Sequence, residues 1–304
     1  MNTGLRSFIP LLICVLIFGC NSPTTDTNFT RTESSVPPKI KFVEHSPEES
    51  GFNFSNLLDE EKLISPFNFI NVYNGGGVAI GDIDNDGLQD VLMTGNMVPS
   101  KLFLNKGNFK FEDITQKAGL NTPGWNTGAA MADVNKDGWL DIYVCRSYYD
   151  DPNARYNLMF MNNGDGTFTE KSVEMGVNDD NFSIAASFFD YDRDGDLDLV
   201  VINHPRYKML AFEKHYNYWY NPVEEYSNKL FRNDGGKFTD VTVEAGILSY
   251  SFSLGLITTD WYNDGYPDIY ISVDHDRSDI LYRNNGDGTF TDIIDTALKQ
   301  NSRS

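Results

Sequence analysis

A nine-residue acidic loop that occurs four times is the feature that most constrains how this 304-residue chain can fold. Its copies span residues 82–90, 133–141, 190–198 and 260–268, and each follows the pattern D-x-[D/N/Y]-x-D-G-x-x-D. Oxygen atoms at positions 1, 3 and 5 of such a loop can converge on one point, and the glycine at position 6 permits a sharp turn. The pattern therefore predicts four cation-binding loops.

The atoms that each loop offers indicate which cation it binds. Position 7 can add a backbone carbonyl and position 9 a further carboxylate, while no His or Cys occurs inside the loops. Oxygen-only ligation of this kind suits calcium rather than zinc. We expect up to four structural Ca²⁺ ions, with these ligands: Asp82, Asp84, Asp86, Leu88 and Asp90; Asp133, Asn135, Asp137, Trp139 and Asp141; Asp190, Asp192, Asp194, Asp196 and Asp198; Asp260, Asp264, Tyr266 and Asp268.

The four loops differ as ligand sets. The first and third carry carboxylates at positions 1, 3, 5 and 9, whereas position 3 is Asn135 in the second loop and Tyr262 in the fourth. Because Tyr262 removes a donor, we expect the fourth loop to bind calcium most weakly. Fourfold recurrence favours a structural rather than a catalytic role for the ions.

An EF-hand begins with the same spacing but requires a bidentate Glu at position 12 and flanking helices. Position 12 is instead apolar in every copy, namely Met93, Val144, Val201 and Ile271. These residues lie in short β-branched and aromatic runs, which predict buried strands. The acidic loop is therefore expected to join two strands.

Each loop lies inside a longer repeat. A strand of small or apolar residues precedes it, as in 76–81, and an apolar strand, a turn and another strand follow, as in 159–168. Asn-Gly and Asp-Gly between apolar runs indicate hairpins. About four short strands per unit are typical of a propeller blade, so we predict an all-β fold, a β-propeller of about four blades over residues 40–304. A closed ring, an open arc and part of a larger wheel all remain possible. Because residues 42–52 resemble the segment that closes each unit, an extra strand is expected before the first blade.

The repeats also resemble a known family. The acidic loops, the Gly-Val-Ala-x-x-Asp run of 77–82 and the Asn-Asn-Gly-Asp-Gly-Thr-Phe turns of 162–168 and 284–290 are similar to FG-GAP (VCBS) repeats, particularly those of the cartilage acidic protein and ASPIC/UnbV group. Residues 74–82 resemble the bacterial surface lipoproteins of that group. The resemblance covers residues 40–298 and implies a calcium-binding propeller. Members of the group are usually longer and carry an ASPIC/UnbV domain, so the chain is also interpretable as a fragment.

The N-terminal residues predict an exported lipoprotein. Arg6 precedes an apolar run at 8–18 that is too short to span a membrane, and Gly19-Cys20 completes a lipobox. We interpret 1–19 as a signal peptide, Cys20 as the lipidated residue and 20–39, rich in Ser, Thr and Pro, as a flexible tether. The alternatives are an ordinary secretory signal and a short membrane anchor. This predicts a lipid-anchored protein of the bacterial cell envelope, at the outer membrane or cell surface. Cys145 would be the one remaining cysteine, so no internal disulfide is expected.

Composition limits the partners. The net charge of −20 argues against nucleic acid and against an anionic lipid surface, which leaves the lipid anchor as the only expected membrane contact. No catalytic motif stands out, and the four histidines are scattered outside known metal motifs. We therefore expect a non-enzymatic binding or scaffold module for a glycan or protein. The alternatives are a polysaccharide-active enzyme on a propeller scaffold and an incomplete fragment of a larger protein.

An aromatic insertion in the third unit, residues 204–226, is a candidate ligand loop. It contains Tyr207, Tyr216, Tyr218, Trp219 and Tyr220, which suit stacking on sugar rings or anchoring of a protein partner. The alternative, that the loop folds back on its own unit and buries these rings, is favoured because large exposed aromatic patches are uncommon.

Overall fold

The computed structural model describes residues 42–61, 70–148, 151–205, 217–218, 220–274 and 278–297. The chain divides into two units, residues 1–44 and 45–304. All the strands described below belong to the second unit.

Within the described residues, the second unit contains four four-stranded antiparallel sheets, each built from consecutive strands that pair in chain order. The first sheet comprises β1 (Val78–Gly81), β2 (Asp90–Met93), β3 (Lys101–Asn105) and β4 (Phe111–Asp113), and the second β5 (Trp125–Ala132), β6 (Asp141–Ser147), β7 (Leu158–Asn162) and β8 (Phe168–Glu170). The third comprises β9 (Phe182–Phe189), β10 (Asp198–His204), β11 (Lys229–Asn233) and β12 (Phe238–Asp240), and the fourth β13 (Ser253–Thr259), β14 (Asp268–Val273), β15 (Ile280–Asn284) and β16 (Phe290–Asp292). The prediction of an all-β fold with four strands per repeat is confirmed.

The helices among the described residues are short. They include α1 (Pro47–Ser50), α2 (Ser172–Met175) and α3 (Ile294–Ala297), together with single 3₁₀ turns at Ile70–Tyr73, Pro152–Ala154 and Glu224–Tyr226. In the part of the chain that the structure describes, none has the length and apolar character needed to cross a membrane.

The expected extra strand before the first sheet is wrong, because residues 47–50 form α1 instead. The Ser46 side chain accepts a hydrogen bond from the Glu49 amide, and Pro47 occupies the first turn, where its missing N–H costs nothing. Gly51 ends the helix with φ of 75°, which a glycine adopts readily. The segment nevertheless packs on the first sheet, since the Phe52 ring stacks on Phe103 with 4.3 Å between centroids.

Three apolar cores lie between successive sheets. Each joins side chains from two neighbours: Leu92 and Leu102 with Ile142 and Phe160; Tyr143 and Met159 with Leu199 and Phe231; Val200 and Leu230 with Ile269 and Ile271. Alternate residues of β6 thus enter different cores, because successive side chains of a strand point to opposite faces. Burial of both faces explains why β6 and β10 contain continuous apolar runs rather than alternating ones.

Glycine allows the first strands of neighbouring sheets to approach closely. A Cβ added at Gly77 would lie 2.8 Å from the Gly128 Cα, and one added at Gly128 would lie 2.5 Å from the Ile184 oxygen. Real Cβ atoms do not tolerate such distances to a backbone, so a side chain at either position would force two sheets apart.

Gly128→Ala is therefore expected to lower the free energy of unfolding by about 1–3 kcal/mol through overpacking. Gly255→Ala is the matched control, because Gly255 occupies the equivalent position of the fourth sheet and its added Cβ would meet only the Ser272 side chain. The control should change stability by no more than about 0.5 kcal/mol. Urea denaturation followed by tryptophan fluorescence measures both, and equal effects would contradict the close-approach explanation.

Candidate metal centres

Each acidic loop joins the first and second strands of one sheet, as the apolar residues at position 12 predicted. Neighbouring loops also touch. The Asn85 side chain donates a hydrogen bond to the Gly138 oxygen at 2.9 Å, the Lys136 ammonium lies 2.5 Å from Asp196, and the Arg193 guanidinium lies 5.0 Å from the centre of the Tyr266 ring. Position 4 of one loop therefore reaches the next loop in all three cases.

The backbone of the four loops has one conformation. Position 4, which is Asn85, Lys136, Arg193 or Asn263, has φ between 53° and 66°, and the glycine at position 6 has φ between 87° and 91°. A left-handed position followed closely by glycine turns the chain back towards position 1. The amide of that glycine donates to Oδ2 of the position 1 aspartate at 2.8–3.1 Å in every loop.

The carboxylates at positions 5 and 9 differ in their exposure to solvent. Oδ1 of the position 5 aspartate accepts a hydrogen bond from the position 7 amide at 2.8–3.1 Å, that is from Leu88, Trp139, Asp196 or Tyr266. The position 5 aspartate is exposed in all four loops, whereas the position 9 aspartates are at most 1% exposed. The position 5 carboxylates thus lie at the surface side of each loop.

The position 9 aspartates connect each loop to its sheet. Oδ2 of Asp90, Asp141, Asp198 and Asp268 accepts from the position 2 amide at 3.0–3.1 Å. Oδ1 accepts at 2.7–2.9 Å from the backbone N–H of the asparagine that ends the third strand, which is Asn105, Asn162, Asn233 or Asn284. The loop motif alone does not predict these asparagines. Their signal in the sequence was an Asn that recurs three residues after a Leu or Met, which is the second residue of each third strand.

The buried carboxylates sit in a strongly negative environment. Burial raises the pKa of Asp198 to about 7 and that of Asp141 to about 6, and in both cases the other loop carboxylates add to the rise while backbone donors oppose it. Burial also raises the pKa of Asp90 and Asp268. A raised pKa means that negative charge is costly here, and a divalent cation would offset that cost.

The first and third loops bring three carboxylates together. Oxygen atoms of Asp82, Asp84 and Asp90 all lie within 4.8 Å of one another, as do those of Asp190, Asp192 and Asp194. In the third loop, Asp190 Oδ1 is buried and accepts no hydrogen bond from any described residue. The equivalent oxygens of Asp82, Asp133 and Asp260 accept from the position 5 amide at 3.0–3.1 Å. An unsatisfied buried carboxylate oxygen beside two other carboxylates fits a calcium ligand.

The second and fourth loops are less acidic at the same place. The Asn135 amide oxygen accepts from the Asp137 amide at 3.1 Å, and the Asn135 side-chain nitrogen donates to the Asp137 carboxylate at 2.8 Å. In the fourth loop, the Arg283 guanidinium lies 4.3 Å from the centre of the Tyr262 ring and 3.5 Å from the Asp264 carboxylate. A cation that binds the fourth loop must compete with this arginine, which agrees with the weaker binding expected there.

The remaining predicted site residues, at the lipobox and in the aromatic insertion, are only partly described by the structure. Cys20, Tyr207, Tyr216 and Trp219 lie outside the described residues. Tyr218 packs on its own unit, with its ring centroid 5.4 Å from that of Tyr226 and 5.3 Å from that of Tyr250, whereas Tyr220 is 71% exposed. Cys145 is buried and forms no disulfide.

Comparison with known proteins identifies the repeats. Residues 82–144, 148–201 and 260–304 match the family model described as FG-GAP-like repeat, which together is more than half of the chain. The chain is also similar to cartilage acidic protein 1: 34% identical over 99 residues to the Xenopus tropicalis protein and 36% over 75 residues to the Homo sapiens protein. These alignments cover 32% and 24% of this chain but only 14% and 11% of the relatives, so the chain matches a small part of each.

Among solved structures, the V. cholerae biofilm matrix protein Bap1 aligns with 70% of this chain and 27% of its own, at 15% identity and a TM-score of 0.36. That similarity is too low to support an argument about function. The match of the family model, together with the four acidic loops on four equivalent sheets, establishes the family. The chain belongs to the FG-GAP-like repeat family.

Proposed function

We propose that this protein is a calcium-stabilised β-propeller that acts as a binding or scaffold module at a bacterial cell envelope. The observation that carries the proposal is the recurrence of one hydrogen-bond framework in all four acidic loops, each joining the first two strands of a sheet. Fourfold repetition suits ions that hold a structure together, because a single ion would suffice for catalysis.

Two features of the sheets support the propeller. The three apolar cores stack the sheets in chain order, as neighbouring blades stack around an axis. In addition, the first strands of all four sheets line one cavity of about 480 Å³ through residues that include Val78, Gly128, Ile184 and Leu254. A common cavity beside all four first strands is what blades arranged around an axis produce.

Calcium would stabilise the native state by mass action, since it binds the folded loops and not the unfolded chain. Asp190, Asp192 and Asp194 would hold it in the third loop, and Asp82, Asp84 and Asp90 in the first. The lipobox at Cys20 supports the envelope location, and the net charge of −20 supports a partner that is neither nucleic acid nor anionic lipid. A glycan or protein fits, and we propose no catalytic role.

Calorimetric titration with calcium tests the ranking of the loops. Asp194→Ala should abolish one of the tightest binding events, whereas Asp264→Ala should remove only the weakest, because Arg283 already pairs with Asp264. The two variants remove the same side chain from the same loop position, so each controls for the other. A larger loss of affinity in Asp264→Ala would contradict the ranking.

A glycan array probed with the purified protein, in calcium and in chelator, tests the binding role. Calcium-dependent binding of a saccharide without change to it is the expected result, and a protein partner captured in calcium alone would also support the proposal. Any saccharide that is bound should then be incubated with the protein and analysed for products. Turnover of a saccharide without stoichiometric binding would favour the enzyme instead.

A further inference from the structure

The outer face of the fourth sheet is the side of β13–β15 that points away from the third sheet. It carries the cross-strand neighbours Ile257, Tyr270 and Leu281, whereas Leu256, Ile271 and Ile280 point into the core shared with the third sheet. Four independent features show that this face is built in the same way as the faces that the first three sheets bury.

The first feature is a hydrogen bond between sheets. In the second, third and fourth sheets the asparagine that ends the third strand donates from Nδ2 to the position 2 carbonyl of the preceding loop: Asn162 to Ile83 at 2.9 Å, Asn233 to Val134 at 2.9 Å and Asn284 to Tyr191 at 2.8 Å. The equivalent carbonyl in the fourth loop belongs to Trp261, and no described residue donates to it in this way. Asn105 of the first sheet donates to Gln89 of its own sheet at 2.9 Å, with no preceding loop described beside it.

The second feature is the burial of position 2 itself. Ile83, Val134 and Tyr191 are 3%, 1% and 3% exposed because the next sheet covers them, whereas Trp261 is 45% exposed. Ile257 on the same face is 53% exposed. Large apolar side chains at a position that three homologous units bury mark a surface prepared for contact.

The third feature is the uncontacted position 4 of the fourth acidic loop, and the fourth is the glycine in the first strand of the fourth sheet. Position 4 of the first three loops contacts the next loop, but Asn263 at position 4 of the fourth has no further loop beside it among the described residues. The backbone of the next sheet packs directly against Gly77 and against Gly128. At Gly255 the equivalent space holds no backbone of another sheet in the described part of the chain, and only the Ser272 side chain lies near it. A glycine here leaves room for an approaching strand.

The first sheet carries the complementary half of such an interface. Val78 and Ile80 of β1 are 50% and 61% exposed, and Asn105 retains a side-chain hydrogen that its counterparts donate across sheets. Part of this face is covered by residues 46–53. Gly51, with φ of 75°, lies against the Phe111 oxygen, as Gly119, with φ of 72°, lies against the Phe168 oxygen. Residues 46–53 thus occupy the place of the closing turn of a preceding sheet.

We propose that two copies of this chain associate head to tail, with the outer face of the fourth sheet of one copy docked on the first sheet of the other. The donor Asn105, the acceptor Trp261 and the exposed apolar residues of both halves belong to this one chain, so a second copy supplies everything that the interface lacks. Continuity with the three existing inter-sheet interfaces fixes its geometry. In each copy, residues 46–53 occupy the place beside Phe111 that α3 of the second copy would take on docking. This competition keeps the association weak.

Sedimentation velocity over a concentration series tests this proposal. Phe52→Ala removes the ring that stacks on Phe103, so it should loosen residues 46–53 and strengthen self-association about tenfold. Adding Gly255→Arg should return the protein to monomer by filling the docking face. Val243→Arg is the control for a new surface charge, because Val243 is 50% exposed on the third sheet unit, and it should leave the association of Phe52→Ala intact.

Two results would overturn the proposal: association that Gly255→Arg does not weaken, or a monomer at every concentration for both wild type and Phe52→Ala. Should Phe52→Ala fail to fold by circular dichroism, Lys110→Ala provides the second variant, since the Lys110 ammonium donates to the Glu49 oxygen of the competing segment. The interface depends on sheet stacking and not on calcium, so its failure would leave the proposed function unaffected.

Discussion

Asp198→Ala is expected to lower the free energy of unfolding by about 2–4 kcal/mol, in chelator as well as in calcium. The Asp198 carboxylate is fully buried and accepts hydrogen bonds from the Tyr191 amide at 3.0 Å and the Asn233 amide at 2.8 Å. Its removal leaves two buried N–H groups without an acceptor, at a cost of about 1–3 kcal/mol each. Relief of repulsion among the loop carboxylates, visible in the raised pKa of Asp198, offsets part of that cost.

Asp194→Ala is the control within the same loop. Asp194 is exposed and accepts one hydrogen bond, from the Asp196 amide at 2.8 Å, so in chelator the substitution should cost less than about 1 kcal/mol. In calcium it should cost more, because it removes one of the proposed calcium ligands. Urea denaturation of both variants in chelator and in calcium makes the comparison. Equal stability of Asp198→Ala and wild type in chelator would show that position 9 acts only as a ligand.

Asn233→Ala is expected to cost about 2–4 kcal/mol, because this side chain connects two sheets. Nδ2 donates to the Val134 oxygen at 2.9 Å and the Leu197 oxygen at 3.1 Å, and Oδ1 accepts from the Gly236 amide at 2.7 Å. All three partners lose a hydrogen bond in the alanine variant, and Asn233 is fully buried, so water cannot replace the side chain.

Asn105→Ala is the matched control for Asn233→Ala. Asn105 occupies the same position in the first sheet but donates only to Gln89 within that sheet and accepts from the Gly107 amide at 2.9 Å. We expect a loss of about 1 kcal/mol, since Asn105 is only partly buried and links no other sheet. Thermal and urea unfolding should agree on the difference. Equal losses at the two positions would contradict a role for Asn233 between sheets.

The sequence was sufficient to predict the local structure of each repeat. Glycine at position 6, the apolar residue at position 12 and the Asn-Gly and Asp-Gly turns depend on neighbouring residues only, so their pattern predicts loop, strand and hairpin directly. Four agreeing copies made the prediction stronger than any one copy could. The same logic failed at residues 47–50, where Ser46, Pro47 and Gly51 provide the cap, first turn and end of a short helix.

The sequence pattern could not predict the hydrogen bonds and contacts between sheets. Asn162, Asn233 and Asn284 reach carbonyl groups 79, 99 and 93 residues away in the chain, and no local periodicity reports such a distance. The double role of position 9 was missed for the same reason, because its second donor lies on another strand of the sheet. The exposed face of the fourth sheet emerged only by comparison of Trp261 with the buried residues Ile83, Val134 and Tyr191.

Thermal unfolding of chelator-treated protein, before and after calcium is restored, is the most direct test of the claim that the acidic loops are calcium sites that stabilise the fold. Calcium at about 100 times the dissociation constant of one site would add about 2.7 kcal/mol, so the midpoint should rise by at least about 5 °C. Magnesium at the same concentration should raise it less, because the loops offer many flexible oxygen ligands rather than a small octahedral site. An unchanged midpoint in calcium would contradict the account.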